Sequence, residues 1–162
     1  MELETVKKVR SLDLALLAAR KRQSPRTQML HLFAGQEEVS DTIPLYENFC
    51  FALALFRQKT AEAVQEGKEL LYRLFPFQTP EGSFPTYLHE YPRPLDRHLP
   101  LKIAPIYHHL LRYFSPIVEA PLKEALQKGL QKLIAAASRT DRETPLFPLW
   151  KERLLALQGE RV

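Results

Sequence analysis

Fifteen residues between Phe84 and His98 carry most of the groups in this chain that could do chemistry together. They hold two phenols, two imidazoles, two carboxylates and two guanidiniums: Tyr87, His89, Glu90, Tyr91, Arg93, Asp96, Arg97 and His98. His89 and Glu90 are of the types that act as general base, and Tyr87 could pass a proton. Tyr91, Arg93, Asp96, Arg97 and His98 supply the stacking surface and the charges that bind and orient a ligand. The same composition has a plain structural use, in which Tyr and Phe plug a core from a loop while the charges face water.

Other chemistries find less support. His108 and His109 are neighbours in a helical stretch, so they point about 100 degrees apart and cannot both ligate one metal from a single helix. His89 and His98 lack a Cys or paired-carboxylate partner at ligand spacing, so no metal site is expected. Cys50 is the only cysteine, which fits a small buried apolar residue better than a nucleophile and excludes a disulfide framework. With five glycines there is no phosphate-cradling loop, and no cofactor is expected. Arg20, Lys21, Arg22 and Arg26 form a basic cluster that could meet nucleic acid. A solvated helix C-terminus accounts for it better, because cations complement the macrodipole there and no interleaved aromatic platform accompanies the cluster.

These groups need a scaffold, and composition bounds it. At 162 residues, 45% apolar and 26% charged, the chain suits a single domain spanning 1–162 with one core. The net charge is +4. No apolar run approaches the roughly 20 residues of a membrane span. Acidic residues interrupt the basic N-terminus and no secretory apolar core follows, which predicts a cytoplasmic location.

Apolar periodicity predicts helices. Leu3, Val6, Leu12, Leu16 and Leu17 mark a first helix over 2–22, closed by Ser24 and Pro25. Phe49, Leu53 and Phe56, continued by Ala63, Leu70, Leu71 and Leu74, predict helical structure from Leu45 to Phe75. Residues 76–100 contain six prolines, which predicts a long ordered loop rather than helix or strand. Helix is expected to resume near Ala104 with Pro105 in its first turn and Ile106, Leu110, Phe114 and Ile117 facing inward. A further helix follows over Ala120–Ser138, with Leu122, Leu126, Leu130, Leu133 and Ala137 on one face. After a loop over 140–148, Leu149–Gln158 reads as a last helix containing Trp150.

Two of these segments are alike. EAVQEGKELL (62–71) and EALQKGLQKL (124–133) agree at five of ten positions, 62 residues apart. Phe84-Pro85 and Phe147-Pro148 follow at nearly the same spacing. The match predicts two related helical hairpins, about 45–100 and 106–150, stacked to cover each other's apolar stripes. A mid-helix glycine costs about 1 kcal/mol against alanine, so Gly67 and Gly129 are expected where helices approach closely.

In its hairpins the chain resembles the α/α toroids: terpenoid cyclases, prenyltransferases and several glycan lyases and hydrolases. The segment Leu74 to Phe84 (LFPFQTPEGSF) is similar to the QW motif of triterpene cyclases, with Phe84 at the tryptophan position and Arg73 where an aromatic stands. The resemblance implies that Gln78, Gly82 and Phe84 are structural, tying one hairpin to the next. It also implies that the loops before inner helices lie at the ligand face. Neither an Asp-x-Asp-Asp acid motif nor a prenyltransferase zinc set around Cys50 is present.

The expectation is therefore an all-α protein of antiparallel hairpins in an open, toroid-like arc. Its leading functional reading is a non-catalytic interaction module that binds a protein partner or a second copy of itself. The runner-up is a reduced toroid enzyme acting on a glycan or isoprenoid, with its site in the 84–98 loop and Tyr87, His89 and Glu90 as catalytic groups. Nucleic-acid binding through the N-terminal cluster comes third.

Overall fold

The computed structural model describes residues 2–32 and 42–139, with Glu152 and Ala156, and side chains from Arg10 onward. Among these residues the chain is all-α. Its helices are α1 (Glu2–Arg22), α2 (Leu45–Gln58), α3 (Ala61–Leu74), α4 (Leu99–Tyr113) and α5 (Ala120–Ser138), with single 3-10 turns at Phe75–Phe77, Leu88–Glu90 and Ser115–Ile117. Described β pairing is limited to two isolated bridges, Gln23 with Leu30 and Pro44 with Tyr87. No described helix is long and apolar enough to cross a membrane. The 140–148 loop, the Phe147-Pro148 match and, those two residues apart, the helix expected over Leu149–Gln158 lie outside the described residues.

Two compact units divide the chain. The first holds α1, α2, α3 and Tyr87–His89; the second holds Phe75–Thr86 and the described chain from Glu90 onward.

In the first unit α2 packs on α3 and α1 on α2. Leu45, Phe49, Ala52, Leu55 and Phe56 of α2 are fully buried, as are Leu71 and Leu74 of α3; each large side chain contributes about 1.5–3 kcal/mol by leaving water. Lys59 ends α2 in the left-handed conformation, φ 59°, its N–H donating to Phe56 O. Thr60 then opens α3, its Oγ1 accepting from Ala63 N at 3.3 Å. Gly67 lies where α3 meets α2: a Cβ there would stand 2.9 Å from the Phe56 ring.

Among its described side chains, α1 is held by two ion pairs as well as by apolar contact. Arg20 Nη2 donates to Glu66 Oε2 at 2.6 Å, and Arg22 Nη2 lies 2.5 Å from Glu47 Oε2. Leu16 is buried, but Leu17, expected on the apolar face, is 62% exposed. Past α1 the chain doubles back, and the fully buried Asn48 clamps it: Oδ1 accepts from Leu30 N, while Nδ2 donates to Leu30 O and Pro44 O.

In the second unit α4 packs on α5. Leu122, Leu126, Leu130, Leu133 and Ala137 of α5 are buried, as are Ile103, Tyr107, Leu110 and Leu111 of α4. α4 begins at Leu99, not near Ala104, so Pro105 lies inside it and Pro100 occupies the first turn. Pro100 needs no donor there, whereas Pro105, seven residues into the helix, forfeits the bond to Leu101 O. Two further expectations fail on burial. Ile117 is 44% exposed because the 3-10 turn carries it away from the α4 face, and Leu53 is only partly buried while Leu55 takes the core position.

Candidate anion-binding site

The second unit contains a cavity of about 470 Å³, within the range of small-ligand pockets. A turn forms its floor. Thr79 O accepts from Gly82 N at 2.9 Å and Thr79 N donates to Ser83 O at 2.8 Å, the arrangement expected of Thr79-Pro80-Glu81-Gly82 with proline second and glycine fourth. Thr79 and Ser83 line the cavity from this turn, and both are buried.

The turn is pinned to α5. Gln78 Nε2 donates to Gly82 O and to Gly129 O, each at 3.1 Å. Gly82 has φ +92°, and a Cβ there would stand 2.3 Å from Lys132 O, so only glycine lets the backbone lie this close. Phe84 is fully buried with its ring 6.4 Å from that of Tyr107. Tyr107 in turn closes on Gly129, where a Cβ would meet its ring at 2.6 Å. Gln78, Gly82, Phe84 and Gly129 thus position the floor rather than enter the cavity.

Its walls come from the approach to α4 and the end of α5. Pro92, Arg93, Pro94, Arg97 and Pro100 line one side; Ala136 and Arg139 line the other, with Glu81 at the turn. Arg139 Nη2 donates to Glu81 O at 2.6 Å, which holds that guanidinium beside the turn. The ends of α4 and α5 that border the cavity are an N- and a C-terminus, whose partial charges of about half a unit offset each other. Three guanidiniums and one carboxylate are the charged side chains of the lining.

The residues expected to act together are distributed differently. Tyr87 and His89 belong to the first unit, where their rings stack at 5.9 Å and Tyr87 bridges Pro44. The Glu90 carboxylate is occupied with backbone, accepting from Thr86 N at 3.1 Å and Leu95 N at 3.5 Å. None of these three lines the cavity. Tyr91 packs edge-on to Phe77 at 5.7 Å. Asp96 Oδ1 accepts from His98 N at 2.7 Å, so the pair shapes the entry to α4, and His98 Nδ1 is buried without a hydrogen-bond partner among the described residues. Of the binding candidates, Arg93 and Arg97 reach the cavity.

Thr79, Glu81, Ser83 and Arg139 were not among the sequence candidates. The turn signature Thr-Pro-Glu-Gly could have flagged the first three; nothing local singles out Arg139, 56 residues beyond Ser83. Elsewhere, burial pushes the Cys50 thiol up, against a hydrogen bond with Tyr46 that lowers it, so little of it is thiolate near neutral pH. Among the described residues no three His, Cys, Asp or Glu side chains come together as metal ligands. No family model matches this chain, and no curated protein or solved structure resembles it significantly.

Proposed function

We propose that the chain is a non-catalytic interaction module whose second unit grips an anionic group of a protein partner. The observation that carries this reading is the cavity lined by Arg93, Arg97 and Arg139 over the Thr79–Ser83 turn. Arginine clusters recognise acidic and phosphorylated motifs through planar, bidentate hydrogen bonds. The two hydroxyls of the lining are engaged with backbone: Thr79 Oγ1 accepts from Ser83 N and Ser83 Oγ donates to Phe84 O, each at 3.3 Å.

The reading is preferred over a reduced toroid enzyme because Glu90 is engaged by backbone N–H groups and Tyr87 and His89 belong to the other unit. It is preferred over nucleic-acid binding because Arg20 and Arg22, half of the basic cluster, are paired with Glu66 and Glu47. Kinship of the α2–α3 and α4–α5 hairpins is supported by Gly67 and Gly129, each facing an aromatic ring on the partner helix. A cytoplasmic setting agrees with a single, partly buried thiol.

A peptide array of acidic, phosphorylated and neutral sequences tests the proposal. Bound sequences should be enriched in anionic residues, and the signal should fall about tenfold or more in an Arg93→Gln/Arg97→Gln double variant. Capture indifferent to peptide charge, or unchanged in that variant, contradicts it.

A further inference from the structure

Resting on the reading of the cavity as an anion site, we infer that Gln78 is the positioning residue that sets Arg139 in it. The floor turn and α5 meet along one stripe of the helix. Gly129, Lys132, Ala136 and Arg139 follow one another at steps of three, four and three, the spacing of a single helix face. Gln78 Nε2 holds the first of these, donating to Gly129 O and back to Gly82 O at 3.1 Å each, which engages both hydrogens of the amide. Gly82 packs on the second, so closely that a Cβ would stand 2.3 Å from Lys132 O. Ala136 lines the cavity, and at the far end Arg139 Nη2 donates to Glu81 O at 2.6 Å.

The two ends of this stripe are held unequally. At about 1.5 Å of rise per residue, Gly129 and Arg139 stand about 15 Å apart along α5. The Gln78 bonds are part-buried, whereas the Arg139 bond is exposed and must overcome the rotamer freedom of a long side chain. It forms because the peg at Gly129 brings Glu81 O to the matching height on the helix. A guanidinium has five N–H donors, so one bond to Glu81 O orients this cavity-lining residue without exhausting its capacity to grip an anion. Removing the Gln78 amide unfastens the turn, and the register that places Arg139 goes with it.

Calorimetry on the full chain with a sulfotyrosine peptide, whose sulfate stays ionised across the pH range used, tests the inference. Gln78→Ala and Arg139→Gln should each weaken binding about tenfold, and the double variant should bind no worse than either, because the second change removes a group that the first has already misplaced. Arg93→Gln, by contrast, should weaken Gln78→Ala further. Gln78→Glu sets a carboxylate against two carbonyl oxygens at neutral pH; its binding should recover relative to wild type as the pH falls from about 8 to about 5, where a protonated carboxyl donates again. A residue that only stabilised the fold would lower the melting temperature and leave the Gln78–Arg139 cycle additive. Additivity therefore overturns the inference, as do wild-type affinity in Gln78→Ala and a Gln78→Glu variant that does not recover; the anion site stands in all three cases. Should Gln78→Ala fail to fold, the pH dependence of Gln78→Glu decides alone. If the wild-type chain rejects the peptide, the anion site falls and the role of Gln78 with it.

Discussion

Asn48 shows what one buried polar side chain does in the first unit. It satisfies both backbone groups of Leu30 and the carbonyl of Pro44 from a position with no solvent exposure. Asn48→Ala leaves these groups buried and unpaired, at about 1–3 kcal/mol for each one that water cannot reach. A loss of about 2–4 kcal/mol in urea unfolding is expected, and a loss under 1 kcal/mol contradicts the clamp. Glu66 makes a pH-dependent contribution. The hydrogen bond from Arg20 lowers its pKa below the ordinary 4.5, with Gln23 helping and partial burial opposing. A depressed carboxylate pKa stabilises above the unfolded value and loses that contribution as pH falls through the folded one. Glu66→Gln should thus cost no more than about 1 kcal/mol at neutral pH, since the pair is part-exposed, and the difference from wild type should vanish in acid unfolding below the carboxylate range. Neither role was legible in the sequence, because an asparagine in an apolar helix and a glutamate in a polar one look alike whether or not a distant segment meets them.

At the scale of elements, periodicity carried more. α5 spans the predicted Ala120–Ser138 with all five expected residues inside, because leucine spacing at three and four leaves one face to bury. Proline misled the reading of α4, since its cost depends on position: Pro100 in the first turn removes a donor that has no acceptor, and density of prolines alone does not reveal that start. The glycines test close packing directly. Alanine should gain about 1 kcal/mol of helix propensity at either site, yet overpacking typically costs about 1–3 kcal/mol, and Phe56 and Tyr107 are fully enclosed. Gly67→Ala and Gly129→Ala should therefore both destabilise, Gly129→Ala more, because its Cβ would stand 2.6 Å from Tyr107 against 2.9 Å from Phe56. Thermal melts in which either variant is more stable than wild type contradict these contacts.

For the whole molecule, the residues that crowd one loop in the sequence and those that line the cavity overlap only in part. Local crowding singled out Tyr87, His89 and Glu90, which folding spends on a stacked pair and a backbone cap. The cavity instead draws on Thr79, Arg93, Arg97 and Arg139, groups that become neighbours only after Gln78 and Gly82 press the turn onto α5. Side-chain NMR of the arginine Nε–H groups during titration with a phosphorylated peptide is the most direct test. Shifts at Arg93, Arg97 and Arg139, accompanied by Thr79 and Ser83 amides, are predicted, with Arg20 and Arg22 unmoved. Shifts confined to Arg20 and Arg22, or none at all, contradict an anion site in the second unit.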